Sequence, residues 1–372
     1  MRSVLCLNGP NLDMLGTRQP DIYGSTGLTD LESTVIEWGQ ALGFEVECRQ
    51  SNREAEMIEL LHEAEGRAGV VLNPAALTHT SAALADAIAS TSTPVVEVHL
   101  SNVRSRDRWR RRSYVSPVAA ATIFGRGAEG YRAALRHLAN RQAFPMQTAR
   151  YGPHVDQVLD LRVVEGDVGV AIVHGGFWLD AWGRDTTESW SVDLAQHGIP
   201  TANLEYRRLG SGGGARPTMS DVVGGLRAAV RLLEVETLMI VGHSAGAHLA
   251  TAAARRAGIP LRALVTVSGV LDLAEAAAAR RGDGAALRFD PERTTDPLDD
   301  LPPPVPVLVA HGAEDTVVPA SHSRRYFQHL GEGGRSGRLL IRDGVRHFDA
   351  LDPSGPLWDE IRRQLQLWKG EG

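Results

Sequence analysis

Short runs of apolar and β-branched residues alternate along the chain with stretches whose apolar residues recur every three or four positions. Ser3–Leu7, Glu45–Gln50, Gly69–Asn73, Pro94–His99 and Ala121–Ile123 predict strands, while Leu28–Leu42, Arg53–Glu65, Ser81–Ser90 and Glu129–Asn140 predict helices. This βαβα rhythm implies a parallel sheet covered by helices, in flavodoxin-like form. The pattern then lapses into AFPMQTARYGPHVDQ, so residues 146–157 read as a linker. A second alternation has strands near Val168–Val173, Thr201–Leu204, Leu238–Val241, Ala263–Val267, Val305–Ala310 and Arg338–Ile341. Two unlike α/β domains are expected, over residues 1–145 and 158–372, with no internal repeat.

Composition narrows the ligands. A formal charge of -6 with 43% hydrophobic residues gives no reason to expect nucleic acid or an anionic membrane as partner, which leaves small molecules. No apolar run approaches the roughly 20 residues of a membrane span. Cys6 and Cys48 fall in strand-like runs and fit buried thiols rather than a disulfide framework or a metal site. MRSVLCLNGP reads as a first strand and not a signal peptide, so the protein is expected in the cytoplasm.

In a parallel sheet the residues that follow the strands share one edge. They are Asn11, Arg18 and Tyr23 after the first, Asn73 and His79 in NPAALTHTS, and Glu97, His99, Ser101, Arg106 and Arg110 in EVHLSNVRSRDRWRRRSYVSP. A tyrosine with a pKa near 10 becomes a proton abstractor only in a cationic field, which Arg18 and Arg106 could supply. Glu97 and His99 point to one side of a strand, so the carboxylate can orient the imidazole as a general acid. Asn11 and Asn73 can hydrogen-bond an enolate oxygen or a hydroxyl, and the Leu100–Ser101 turn can hold a carboxylate. Base, acid, oxyanion donor and anion nest suggest β-elimination beside a carbonyl. Glu32, Glu37 and Glu59 read as helix surface, and Arg108, Arg111 and Arg112 as a solvated basic face.

LNGPNLDMLGTRQPDIYG, RQSNREAEMIELLHEA, VLNPAALTHTSAALADAI, VEVHLSNVRSRDRWRRRSYVSP and FGRGAEGYRAAL, in that order over residues 3–141, resemble the type II 3-dehydroquinate dehydratases. The resemblance implies conversion of 3-dehydroquinate to 3-dehydroshikimate by anti elimination of water through an enolate, with no metal, cofactor or Schiff base. It implies Tyr23 as base, Arg18 as the lid residue that lowers its pKa, and His99 as acid. Asn11 would hold the water at the enolate, while Asn73, His79 and Arg110 would bind ring hydroxyls. Leu100 and Ser101 would bind the carboxylate, with Arg106 near the tyrosine. Asp86 matches a position that reaches a neighbouring subunit's site, and a homo-oligomer of trimers, up to a dodecamer, is implied. Gln19, Ala75, Ala76, Arg104 and Arg112 depart from the family pattern, and Ala75 is expected to narrow the pocket where glycine is usual.

The second constellation begins in TLMIVGHSAGAHLATAAA, where Gly242-His243-Ser244-Ala245-Gly246 lies between a strand and an Ala-rich helix, as in a nucleophile elbow. AIVHGGFW offers Gly175 and Gly176, which could form an oxyanion hole with the N–H of Ala245. Asp315 and His347 follow later strands, in the order Ser, Asp, His. The span Tyr151–Lys369 resembles the α/β-hydrolases, and HGGFW with NLEYRR is similar to their esterase and kynurenine formamidase-like branch. The resemblance implies Ser244 as nucleophile, His347 as base and Asp315 as its orienter, with Glu314 the alternative acid. It places Phe177 and Trp178 near the acyl or leaving-group pocket; the stretch Asp272–Leu301 is expected to form a cap over that pocket, and His243 and His248, flanking the serine, read as structural. A bifunctional dehydratase and esterase or amidase is expected; the alternative makes the first domain a degenerate oligomeric scaffold for the hydrolase.

Overall fold

The hydrophobic runs of the first half become five strands: β1 (Arg2–Asn8), β2 (Phe44–Gln50), β3 (Gly69–Asn73), β4 (Val95–His99) and β5 (Ala121–Phe124). This is a computed structural model that describes residues 2–16, 27–101 and 113–370. The chain divides into two units, Met1–Ala143 and Phe144–Gly372.

In the first unit the strands lie in the order β2-β1-β3-β4-β5, all parallel. Val4 and Cys6 face one core, with helices α1 (Leu28–Ala41) and α4 (Glu129–Ala143); Leu5 and Leu7 face the other, with α2 (Glu54–Glu63) and α3 (Ala82–Ser90). Burial on both faces is why these strands read as continuous apolar runs. The strand order reverses between β1 and β3, which opens a crevice at their carboxyl ends. Cys6 pairs in register with Cys48, and that neighbouring thiol, with burial, pushes the Cys6 thiol well above its ordinary value.

The second unit holds an eight-stranded sheet: β6 (Gln147–Arg150), β7 (Val158–Arg162), β8 (Val168–Val173), β9 (Thr201–Leu204), β10 (Thr237–His243), β11 (Leu261–Val267), β12 (Val307–Gly312) and β13 (Gly337–Arg342). The order is β13-β12-β11-β10-β8-β9-β7-β6, with β7 antiparallel to both β6 and β9. Helices α5 (Glu188–Gln196), α6 (Ala215–Leu233), α7 (Ala245–Ala254), α8 (Leu273–Ala278), α9 (Arg281–Phe289), α10 (Ser321–Glu332) and α11 (Pro356–Gly370) complete it. Two core clusters form within this unit, one including α6 and α7, the other α5 and α11.

The stretch 146–157 is not a linker. Gln147–Arg150 forms the edge strand beside β7, Tyr151 donates to the Glu205 carbonyl at 2.6 Å, and Gln157 donates to Asp221 at 2.7 Å. An edge strand of four mostly exposed residues carries no apolar alternation, so periodicity could not reveal it.

Candidate active sites

The first site lies at the crevice between β1 and β3. Asn8 ends β1 and Asn73 ends β3, both buried. Asn11 takes a left-handed φ of 67°, and its N–H donates to Asn52 Oδ1 at 2.7 Å, tying this loop to the one after β2. After Asn73 and Pro74 a short 3-10 turn, Ala75–His79, brings in buried Thr78 and His79.

Glu97 and His99 do share one side of β4. His99 Nε2 is 2.8 Å from Glu97 Oε1, and the imidazole stacks on Phe124 with centroids 5.1 Å apart. Thr78 donates to Glu97 Oε1 and Ser116 to Oε2, each at 2.5 Å. Burial alone would raise the Glu97 carboxyl, but the bond and charge of His99, then the two hydroxyls, outweigh it and hold it below its usual range. An ionised Glu97 keeps the hydrogen on Nε2 and leaves Nδ1 as the other working nitrogen.

Leu100 and Ser101 follow β4 as expected, whereas Asp86 is exposed on α3 and shares no side-chain hydrogen bond with this group among the described residues. Arg18, Gln19, Tyr23, Arg104, Arg106, Arg110 and Arg112 lie outside the described residues. The structure adds Thr78 and Ser116, whose hydroxyls stood in the motifs THTS and SYVSP. It also moves Glu32 from helix surface to a half-buried place where Asn8 donates to it at 3.3 Å.

The second site forms where β10 meets α7. The chain turns on Ser244, at φ 54° and ψ −118°. Only glycine fits beside it: a Cβ on Gly246 would lie 2.1 Å from the Val173 carbonyl oxygen, and one on Gly242 2.5 Å from that of Gly246. His347 Nε2 is 3.0 Å from Ser244 Oγ, and its Nδ1 is 2.7 Å from Asp315 Oδ2. Asp315 Oδ1 accepts from the N–H groups of Val317 and Val318 at 2.9 and 2.8 Å. Burial would raise the Asp315 carboxyl, but hydrogen bonds from His311 and His347 hold it far below the usual range. His347 therefore carries its proton on Nδ1 and offers Nε2 to the serine. Glu314 is exposed, so the alternative acid is set aside.

Gly175 abuts the serine, since a Cβ on it would lie 2.8 Å from Ser244 Cβ. Gly176, Phe177 and Trp178 follow with φ values of 107°, 50° and 58°. His174 spans this turn, with Nδ1 2.8 Å from the Gly175 carbonyl oxygen and Nε2 2.9 Å from Glu205 Oε1. Arg208 reaches the same carboxylate at 2.7 Å. Burial opposes ionisation of Glu205, yet His174 and Arg208 bring its carboxyl down to about 2. Ala245 opens α7, so its N–H is among those a helix leaves without an internal partner.

His243 Nε2 is 3.2 Å from the His347 carbonyl oxygen, and burial, then the charge of His347, lowers its pKa to about 3. His248 accepts from Trp178 Nε1 at 3.2 Å and faces the Thr295 carbonyl oxygen at 2.9 Å; burial lowers it to about 4. Both are neutral supports of the kind expected. Trp178 is fully buried and stacks at 4.8 Å on Phe289, which belongs to the stretch expected as a cap, while Phe177 is half-buried. His311 was not anticipated: its Nε2 is 2.9 Å from the Val318 carbonyl oxygen and 3.3 Å from Asp315 Oδ2.

Residues 2–139 match the family Dehydroquinase class II. Over 141 residues the chain is 52% identical to 3-dehydroquinate dehydratase 2 of Pseudomonas aeruginosa, covering 38% of this chain and 95% of that protein. The chain belongs to the class II dehydroquinases. Its dehydroquinase domain is also 50% identical over 138 residues to catabolic 3-dehydroquinase 2 of Aspergillus flavus, covering 37% of this chain and 92% of that protein. Fused to the dehydroquinase domain is an α/β-hydrolase domain, of which residues 196–368 match the Prolyl oligopeptidase family. Esterase B from Lactobacillus rhamnosis shares this fold at 17% identity and a TM-score of 0.51, over 65% of this chain and 93% of that one. A carbohydrate esterase from gut microbiota does so at 14% identity and 0.51, over 61% and 98%.

Proposed function

We propose that the chain is bifunctional, dehydrating 3-dehydroquinate in its first domain and hydrolysing an ester or amide in its second. The Glu97–His99 pair at the crevice, held by two hydroxyls, carries the first assignment beside the named activity of relatives about half identical over nearly their whole length. Tyr23, made phenolate by Arg18 with Arg106 nearby, takes the proton beside the ketone. The enolate is held through a water on Asn11. The hydroxyl departs as water with a proton from His99, which Glu97 orients. Asn73, His79 and Arg110 bind ring hydroxyls, and Leu100 and Ser101 the carboxylate.

In the second domain Ser244 Oγ attacks the carbonyl as His347 takes its proton, and Asp315 stabilises the imidazolium that forms. The N–H groups of Gly175, Gly176 and Ala245 receive the oxyanion. Returning the proton to the leaving oxygen or nitrogen gives the acyl-enzyme, and water releases it. The reactions are assigned to residues 1–145 and 158–372, the second drawing on residues 146–157 for its edge strand. The reading extends to the shikimate or quinate pathways and to a cytoplasmic homo-oligomer of trimers, up to a dodecamer, in which the exposed Asp86 reaches a neighbour.

The test follows the enone absorbance of 3-dehydroshikimate and the release of 4-nitrophenol from its acetate ester. Tyr23→Phe is expected to lower dehydration at least about a hundredfold and leave ester cleavage intact. Ser244→Ala should do the reverse, with a loss of at least about a thousandfold in ester cleavage. Wild-type protein that cleaves the ester but never dehydrates would favour the scaffold reading.

A further inference from the structure

Behind Asn73 runs a buried line of polar groups that the reaction itself does not use. Asn73 Nδ2 donates to the Tyr131 hydroxyl oxygen at 2.8 Å, and that hydroxyl donates to Asn8 Oδ1 at 2.7 Å. Asn8 Nδ2 donates to Glu32 Oε1 at 3.3 Å. Asn73 Oδ1 accepts from the Ala75 N–H at 3.2 Å. Tyr131 and Asn8 are wholly buried, and Asn73 is 3% exposed.

Donors and acceptors along this line have one consistent order. Burial raises the Glu32 carboxyl, but the bond from Asn8 opposes that shift, and as the acceptor Glu32 turns the nitrogen of the Asn8 amide outward and its oxygen inward. That oxygen takes the tyrosine hydrogen, which leaves the phenol oxygen with lone pairs for Asn73. Burial pushes the Tyr131 phenol well above its ordinary value, so it stays a hydroxyl. A flipped Asn73 would set oxygen against oxygen at Tyr131 and nitrogen against nitrogen at Ala75. We propose that Tyr131 is a positioning residue for the dehydration, locking Asn73 through a one-way chain of hydrogen bonds that ends on Glu32. Asn73 then presents its second amide N–H, which has no partner among the described residues, and never its oxygen. The substrate group that meets it must act as an acceptor.

The inference rests on the dehydratase reading. An interaction made equally in the bound substrate and the transition state raises KM and spares kcat when lost. Steady-state rates on 3-dehydroquinate are therefore measured for the full chain and for Tyr131→Phe, Asn73→Ala and both together. Tyr131→Phe keeps the ring in the core and should raise KM about tenfold with kcat within about twofold. In the Asn73→Ala background the same change should move KM by less than about twofold, because its only route is gone. Glu32→Leu, at the outer end of the line, is expected to raise KM about threefold, and Glu32→Gln, whose amide oxygen still accepts, to restore it. An unchanged KM in Tyr131→Phe, with only a lower melting temperature, would overturn the role, as would a full effect without Asn73. If Tyr131→Phe does not fold, the two Glu32 variants decide alone: equal KM values overturn the proposal. An inactive wild type would defeat the dehydratase reading and this role with it, an outcome distinct from an active wild type with an indifferent Tyr131→Phe.

Discussion

Ala75 sits at φ 51°, where a Cβ crowds the backbone at a cost of roughly 1–2 kcal/mol. Part of that is offset because alanine loses less freedom than glycine on folding. Ala75→Gly is thus expected to stabilise the dehydroquinase domain by up to about 1 kcal/mol, seen as a higher denaturant midpoint with unchanged slope. A lower midpoint would show that the methyl packs better than the angle suggests. Sequence pattern alone marked Ala75 as a departure, but the reason lies in a dihedral angle. Glu32 shows the same gap. Its neighbours Leu31 and Val35 mark the buried stripe of α1, yet its own reach to Asn8 depends on how the helix is phased over β1. His311 likewise became meaningful only when β12 brought it against Asp315.

At the scale of elements, the legible parts were those whose burial has a period. β8 and β9 fall where their apolar runs predict, and most other strands differ only at their ends, but β7 was not expected from the sequence although all five of its residues are buried. Ser244, Asp315 and His347 were readable because each follows such a strand, and the sheet then brings them together. β6 was not readable, because its evidence is a ladder of backbone pairs. That ladder has a consequence. A hydrolase fragment begun at Val158 loses β6 and exposes the flank of β7, together with the Tyr151 and Gln157 contacts. It is expected to aggregate, whereas one begun at Phe144 should stay monodisperse in size-exclusion chromatography.

For the whole chain, separate core clusters in the two units predict separate unfolding. Calorimetry should resolve two transitions, and pH should mark the hydrolase one. His243 and His248 are held down to about 3 and about 4, so only the unfolded chain takes up their protons as pH falls from about 6.5. Stability is therefore full above that pH and declines down to about pH 3, the lower of the two folded values, by several kcal/mol in all. A hydrolase transition that stays fixed across this window would refute the assignment of buried neutral imidazoles.

The register that seats Cys6 beside Cys48 also determines where the chain's sulfhydryl chemistry can happen. Both of its cysteines belong to the dehydroquinase domain, one wholly buried and the other half-buried, and the hydrolase domain has none. A maleimide pulse during heating or denaturation would then reach the buried Cys6 only as its first domain opens, and the appearance of the second tag would time that opening without a purification step or an engineered label.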